Sequence, residues 1–215
     1  TMVTFHAHPD DECIVAGGAM RKAADDGHRV VLVVATRGEH GEVDDGFLTD
    51  GEPLWQRRVI ETHAAAEILG AVRVEFLGYV DSGMSWGKRG AQASGILDPD
   101  SLTAADAGEV AADIAAVLID VEPDVVVSYA ADGGYGHPDH VRAHEATRTA
   151  AQVIGVPFYV IAPRGRAAVV VNDPAVAQRK AAALAAHRTQ VLVQGDTFSL
   201  SSGEPRPLGE PERFD

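Results

Sequence analysis

This sequence is poor in cysteine, in positive charge and in long apolar runs, and each shortage excludes something. Cys13 is the only cysteine among 215 residues, so no internal disulfide forms, which fits a cytoplasmic protein. Lys and Arg number 18 against 32 Asp and Glu, giving a formal net charge of −14. Such a surface repels phosphate backbones and anionic membranes, so nucleic acid is excluded as a partner class. Apolar stretches such as Val30 to Ala35 and Val125 to Val127 fall far short of the roughly 20 residues a bilayer requires, so no membrane span is expected. No targeting segment is expected either, because the first residues lead straight into a strand-like run. Neither a G-x-G-x-x-G string nor a phosphate-loop lysine follows that run, which argues against dinucleotide or nucleoside triphosphate binding.

What is present is a regular alternation of strand-like and helix-like segments. Met2 to Phe5 precedes a predicted helix from Asp11 to Asp26 that Gly27 stops, and Arg29 to Ala35, apolar from Val30 on, is suited to a strand covered on both faces. Pro53 opens a helix that runs to Leu69 with Gly70 as its stop, followed by a strand at Arg73 to Leu77. Further helices are expected over Ala104 to Asp120, from His137 to Val153 and from Pro174 to His187. A strand is expected from Asp124 to Tyr129. Phe158 to Ala162 and Ala168 to Val171 read as two more strands, the second antiparallel to the first because no helix separates them. Tyr79 to Leu102 breaks the rhythm with four glycines and reads as a lid. The expected fold is α/β: one Rossmann-like domain over residues 1–198, a mostly parallel sheet with helices on both faces, then an irregular C-terminal tail over 199–215.

Two polar clusters stand just after predicted strands: His8-Pro9-Asp10-Asp11-Glu12 and His137-Pro138-Asp139-His140. In open α/β sheets ligands gather beyond the carboxyl ends of strands, so clusters distant in sequence can face one crevice. A catalytic zinc takes three ligands from His and carboxylates and leaves a fourth position for water, and His8, Asp11 and His140 supply such a set. The same donors also suit iron, cobalt or nickel. Asp10 then stands ready to accept a proton from activated water, and His137 to face the substrate carbonyl. Capping of a helix start explains one Asp of the first cluster but not a His with two Asp. Glu12 reads as support for the helix start or for a ligand, Asp139 as the group that orients His137, His6 as buried support, and His144 and Cys13 as packing residues.

In Ala7 to Glu12 and Tyr135 to His140 the sequence resembles the PIG-L, or LmbE-like, family of zinc-dependent N-deacetylases. Thr36-Arg37-Gly38-Glu39, the Arg58 to Gly70 helix, Asp81-Ser82-Gly83-Met84 and Lys180 to Gln190 extend the resemblance over about residues 2–190, toward actinobacterial members of the mycothiol pathway. The resemblance implies metal ligands at His8, Asp11 and His140, a general base at Asp10 and a protonated, oxyanion-stabilising histidine at His137. It also implies an assisting tyrosine at Tyr135 and sugar contacts at Arg58, Asp81 and Met84. The implied reaction is hydrolysis of an N-acetyl group on a glucosamine-type sugar or glycoconjugate. A mycothiol S-conjugate amidase and a non-catalytic metal- or sugar-binding module stand as alternatives, and a homo-oligomer is compatible with the sequence.

Overall fold

Strand β1 (Met2–His6) lies in the middle of the molecule because its residues other than His6, and those of β2 (Val30–Thr36), are apolar or small on both faces. The structure is a computed structural model that describes residues 1–85, 92–93, 98–162, 167–200 and 203–215. Parallel pairing joins β3 (Arg73–Tyr79) to β2, β2 to β1, β1 to β6 (Val125–Tyr129) and β6 to β7 (Phe158–Ile161). The order β3-β2-β1-β6-β7 runs outward in both directions from the β1/β6 pair, and that reversal is the topological switch point where α/β sheets bind ligands. Both polar clusters leave the sheet there, one after β1 and one after β6.

The period-2 alternation of β2 divides its side chains between two cores. Val31, Val33 and Ala35 pack with Val3 and Phe5 against Val110, Ile114 and Leu118 of helix α4 (Ala107–Val121) and Ala143, Ala146 and Ala150 of α5 (Pro138–Ile154). Val30, Leu32 and Val34 face Met20 of α2 (Gly17–Asp25), Ala65, Ala66 and Leu69 of α3 (Leu54–Leu69), and Ala183 and Leu184 of α6 (Pro174–Ala186). The sheet is therefore mostly parallel and helix-covered on both faces in a single domain, as the alternation of segments predicts. Helix starts follow local chemistry: Asp106 and Asp173 cap α4 and α6 by accepting hydrogen bonds from backbone amides, and Gly70 ends α3 with φ 81°.

Three expectations are corrected. The helix predicted over Asp11 to Asp26 is two helices, α1 (Asp11–Val15) and α2, broken at Ala16. The break frees the amides of Gly18 and Ala19, each of which donates at 2.8 Å to the carboxylate of Glu212. Glu212 belongs to the second correction: the residues expected as an irregular tail include β11 (Arg206–Pro207) and β12 (Glu212–Phe214). β12 inserts into the main sheet antiparallel to both β7 and β8 (Val169–Val171). Thirdly, β8 does not pair with β7, because β12 lies between them and both neighbours run opposite to it. β11 forms a small antiparallel sheet with β9 (Val191–Gln194) and β10 (Thr197–Leu200). Of the predicted lid, residues 86–91 and 94–97 lie outside the described residues; Met84–Ser85 (β4) pairs with Gln92–Ala93 (β5).

Candidate active site

The first cluster turns sharply. Asp10 has φ 92°, a backbone conformation that residues with a Cβ avoid and that costs about 1–3 kcal/mol where the surroundings enforce it. The turn folds Asp11 back so that its Oδ2 accepts from the His8 amide at 3.1 Å and stands 3.2 Å from His8 Nδ1. The second cluster starts α5, with His137 as N-cap and Pro138 in the first turn, where its missing amide costs nothing. One turn of that helix brings His140 Nε2 to 3.2 Å from Asp11 Oδ2. Segments 129 residues apart thus converge on one carboxylate oxygen.

The donor set fits a divalent metal ion. The three candidate ligand atoms of His8, Asp11 and His140 lie within 4.8 Å of one another, and all three residues are buried. Bonds of about 2.05 Å at the tetrahedral angle separate neighbouring ligand atoms by roughly 3.3 Å, close to both 3.2 Å spacings. His140 Nε2 has no hydrogen-bond partner among the described residues, although it is buried, while Nδ1 faces the Gly133 carbonyl at 3.1 Å, which fixes the tautomer with Nε2 free. His8 is oriented in the same way: Nε2 meets Asp139 Oδ2 at 3.1 Å and leaves Nδ1 for the centre. Tyr129, at the end of β6, donates to Asp11 Oδ2 at 2.7 Å and accepts from the Ala7 amide at 2.8 Å. Its ring stacks on His140 with centroids 4.1 Å apart.

Electrostatics follow from this burial. Desolvation opposes ionisation of Asp11, yet the neighbouring imidazoles of His140 and His8 hold its carboxyl well below the usual carboxylate range. Burial likewise opposes protonation of His8, but Asp11 and Asp139 outweigh it and raise the imidazole well above its ordinary value. Asp10 is pushed up to about 6, chiefly by burial, against the pull of Arg58.

Asp139 differs from expectation. Its Oδ2 is 4.0 Å from His137 Nδ1 but bonded to His8, and its carboxylate also accepts from the Ser82 amide at 3.0 Å and from the Thr103 hydroxyl. It orients His8; only its backbone amide reaches His137, donating to Nδ1 at 3.2 Å. That bond leaves His137 Nε2 as the protonated nitrogen. Burial first, then the neighbouring His8 and His140, lower His137 to about 4, so in the chain alone it is a neutral donor rather than the protonated histidine the resemblance implies.

The cluster opens on a cavity of about 630 Å³ whose wall includes Asp10, His137, Tyr135, Arg58, Asp81 and Met84. Tyr135 is 50% exposed at its mouth, edge-on to His137. Arg58 is buried, and its donors serve the motif: Nη2 bonds the Pro9 carbonyl at 2.6 Å and Asp10 Oδ2 at 3.3 Å, and Nη1 the Gly38 carbonyl at 3.0 Å. Gly38, with φ 66°, leaves room for that guanidinium, since a Cβ there would fall 2.0 Å from Nη1. His6, His144 and Cys13 are buried off the centre, with His144 Nδ1 at 2.8 Å from the Tyr129 carbonyl. Gly83-Met84-Ser85-Trp86-Gly87 has the spacing of a serine-hydrolase nucleophile turn, but that turn joins a strand to a helix and here Met84 and Ser85 form a two-residue strand. Tyr129 and Thr103 were not singled out from the sequence, and Ser82 only as part of the Asp81-Ser82-Gly83-Met84 string. Tyr129 and Ser128 did carry a signal, as polar residues ending an otherwise apolar buried strand.

A doubly wound α/β sheet with a His–Asp–His centre at its switch point, a carboxylate beside that centre and a cavity in front defines a metal-dependent hydrolase. The family model described as "PIG-L: GlcNAc-PI de-N-acetylase" matches residues 3–151. A 1D-myo-inositol 2-acetamido-2-deoxy-alpha-D-glucopyranoside deacetylase of Kineococcus radiotolerans is 38% identical over 97% of this chain and 75% of its own length. Among solved structures, a teicoplanin deacetylase in a zinc-inhibited form shares the fold with TM-score 0.67 at 22% identity, over 87% of this chain and 84% of that one. The N,N'-diacetylchitobiose deacetylase of Pyrococcus horikoshii does so with TM-score 0.65 at 23% identity, over 87% and 69%. The chain belongs to the PIG-L family of N-deacetylases.

Proposed function

We propose that this chain is a zinc-dependent N-deacetylase that hydrolyses the acetamide of an N-acetylglucosamine-type sugar or glycoconjugate, with an N-acetylglucosamine linked to a polyol such as inositol as the first substrate to test. The observation that carries the reading is the 3.2 Å convergence of His8, Asp11 and His140 at the switch point with Asp10 on the same cavity wall. The names of the curated relatives support the substrate class. His8, Asp11 and His140 would hold the ion. When bound, it supplies Lewis acidity that lowers the pKa of water and polarises a carbonyl.

The chain's own residues do the rest. Asp10, ionised above about pH 6, takes a proton from the attacking water as oxygen adds to the acetyl carbon. His137 donates its Nε2–H to the oxygen that gains negative charge, a fixed donor that needs no reorganisation. Asp10 returns the proton to the amine nitrogen as the C–N bond breaks, so water and amide become acetate and a free amine. Tyr135, at the mouth, adds its hydroxyl on the carbonyl side, and Asp81 and Met84 line the space for the sugar. The buried single thiol and the acidic surface support a cytoplasmic site of action.

The test is acetate release from free N-acetylglucosamine, its inositol conjugate, diacetylchitobiose and a mycothiol S-conjugate. It is run with the zinc-loaded chain, the chelator-treated chain and Asp10→Ala. Release from at least one sugar is expected, lost on chelation, restored by zinc, and lowered about 100- to 10,000-fold in Asp10→Ala with zinc still bound. Unchanged turnover in Asp10→Ala would remove it from the mechanism; no release from any sugar would overturn the reading.

A further inference from the structure

Behind the motif, on the side away from the cavity, Glu12 and His187 form an ion pair in which both side chains are fully shielded from solvent. His187 Nε2 stands 2.6 Å from Glu12 Oε1, and the other carboxylate oxygen, Oε2, accepts the backbone N–H of Asp10 at 3.0 Å. The two oxygens of one side chain thus tie the end of α6 to the one residue of the motif whose backbone is strained, Asp10 at φ 92°. His187 is itself fixed. Its carbonyl accepts from the amides of Gln190 and Val191 at 3.0 and 2.8 Å, and Thr189 is bound through its amide and hydroxyl to Glu61 of α3 at 3.0 and 2.7 Å. Cys13 donates to Glu12 Oε1 at 3.1 Å, so Glu12 Oε1 joins Cys13 to His187, whose Nδ1 has no hydrogen-bond partner among the described residues. None of the three lines the catalytic cavity.

A buried ion pair is a poor way to gain stability, because apolar residues of the same volume do as well without desolvating two charges. What this pair does that an apolar pair cannot is accept the Asp10 amide and hold that residue in its left-handed conformation. Arg58 secures the same residue from the front, through the Pro9 carbonyl and the Asp10 carboxylate. We propose that Glu12 and His187 are positioning residues that set the Asp10 carboxylate for proton transfer, an inference that rests on Asp10 acting as the general base.

The test is a double-mutant cycle on acetate release by the zinc-loaded full chain, with bound zinc measured for every variant. His187→Ala is expected to lower kcat about 10- to 100-fold, the usual effect of removing such a supporting partner, with KM within twofold and zinc content unchanged. His187→Gln, which keeps a donor for Glu12, recovers most of that loss. In an Asp10→Asn background, His187→Ala causes no further loss, since the group it positions no longer takes protons. An equal fold-loss in that background, an unchanged kcat in His187→Ala, or a loss of kcat matched by loss of zinc overturns the proposal. If His187→Ala does not fold, Glu12→Gln completes the same cycle with nearly the same volume. Failure of the general-base reading is a separate result: Asp10→Asn alone then turns over like the wild type, and the pair's role falls with it.

Discussion

Replacing Glu212 by Ala tests whether the end of the chain is an integral part of this fold. Glu212 is buried on β12, accepts from the amides of Gly18 and Ala19 at 2.8 Å each, and receives Lys180 Nζ at 2.7 Å. No side chain of its own caps α2, so Glu212 serves as a cap supplied from 194 residues away. Losing a cap costs about 1 kcal/mol, and stranding one member of a buried ion pair costs about 3–5 kcal/mol. The two overlap, because Lys180 also keeps its bond to the Ile14 carbonyl at 2.8 Å. The expected loss is therefore about 3–5 kcal/mol, a large part of the 5–15 kcal/mol that typical proteins have. In urea unfolding of the metal-free protein at pH 7, this lowers the midpoint by about 1–2 M with the slope unchanged. Lys180→Met in the Glu212→Ala background returns part of the loss by removing the stranded charge. A loss below about 1 kcal/mol in Glu212→Ala, or no recovery in the double variant, would refute the reasoning.

Two further outcomes follow from the site. Tyr129→Phe removes the hydroxyl that donates to Asp11 Oδ2 and is expected to weaken zinc binding about 10- to 100-fold in a chelator competition, with the fold retained; an unchanged affinity would show that the hydroxyl does not orient Asp11. Because Asp10 must be ionised to accept a proton and burial pushes it up to about 6, kcat/KM falls tenfold per pH unit below a limb at or under that value, since a bound cation favours the ionised form. Arg58→Gln, which removes the neighbouring positive charge, moves the limb to higher pH; a limb above pH 7 in the unsubstituted enzyme, or one unmoved by that substitution, counts against Asp10.

Strand ends and helix starts were legible because they are written locally. The apolar run from Val30 to Val34 reads as a strand covered on both faces, and Gly70 as a helix end. The ligand set was legible for a different reason, since His8, Asp11 and His140 are clustered donor types at the ends of such strands. Asp139 was misread because sequence proximity suggested His137, whereas the partner that reaches its carboxylate is His8, 131 positions away. β12 was missed because three residues after a proline-rich stretch carry no periodic signal, and their place depends on an open sheet edge formed by β7.

The sequence by itself determined the order of the parallel strands and the helices between them, the absence of internal disulfides and long apolar spans, and the residue types available for a metal centre. These follow from side-chain period, composition and local backbone preference, which act over a few residues. Tertiary structure alone decided which nitrogen of each histidine is free, that Tyr129 and Asp139 orient the ligands, that Glu12 reaches His187, and that the end of the chain caps α2. Each of those is a hydrogen bond between groups distant in the chain. Its geometry exists only once packing has removed water and left one partner within reach.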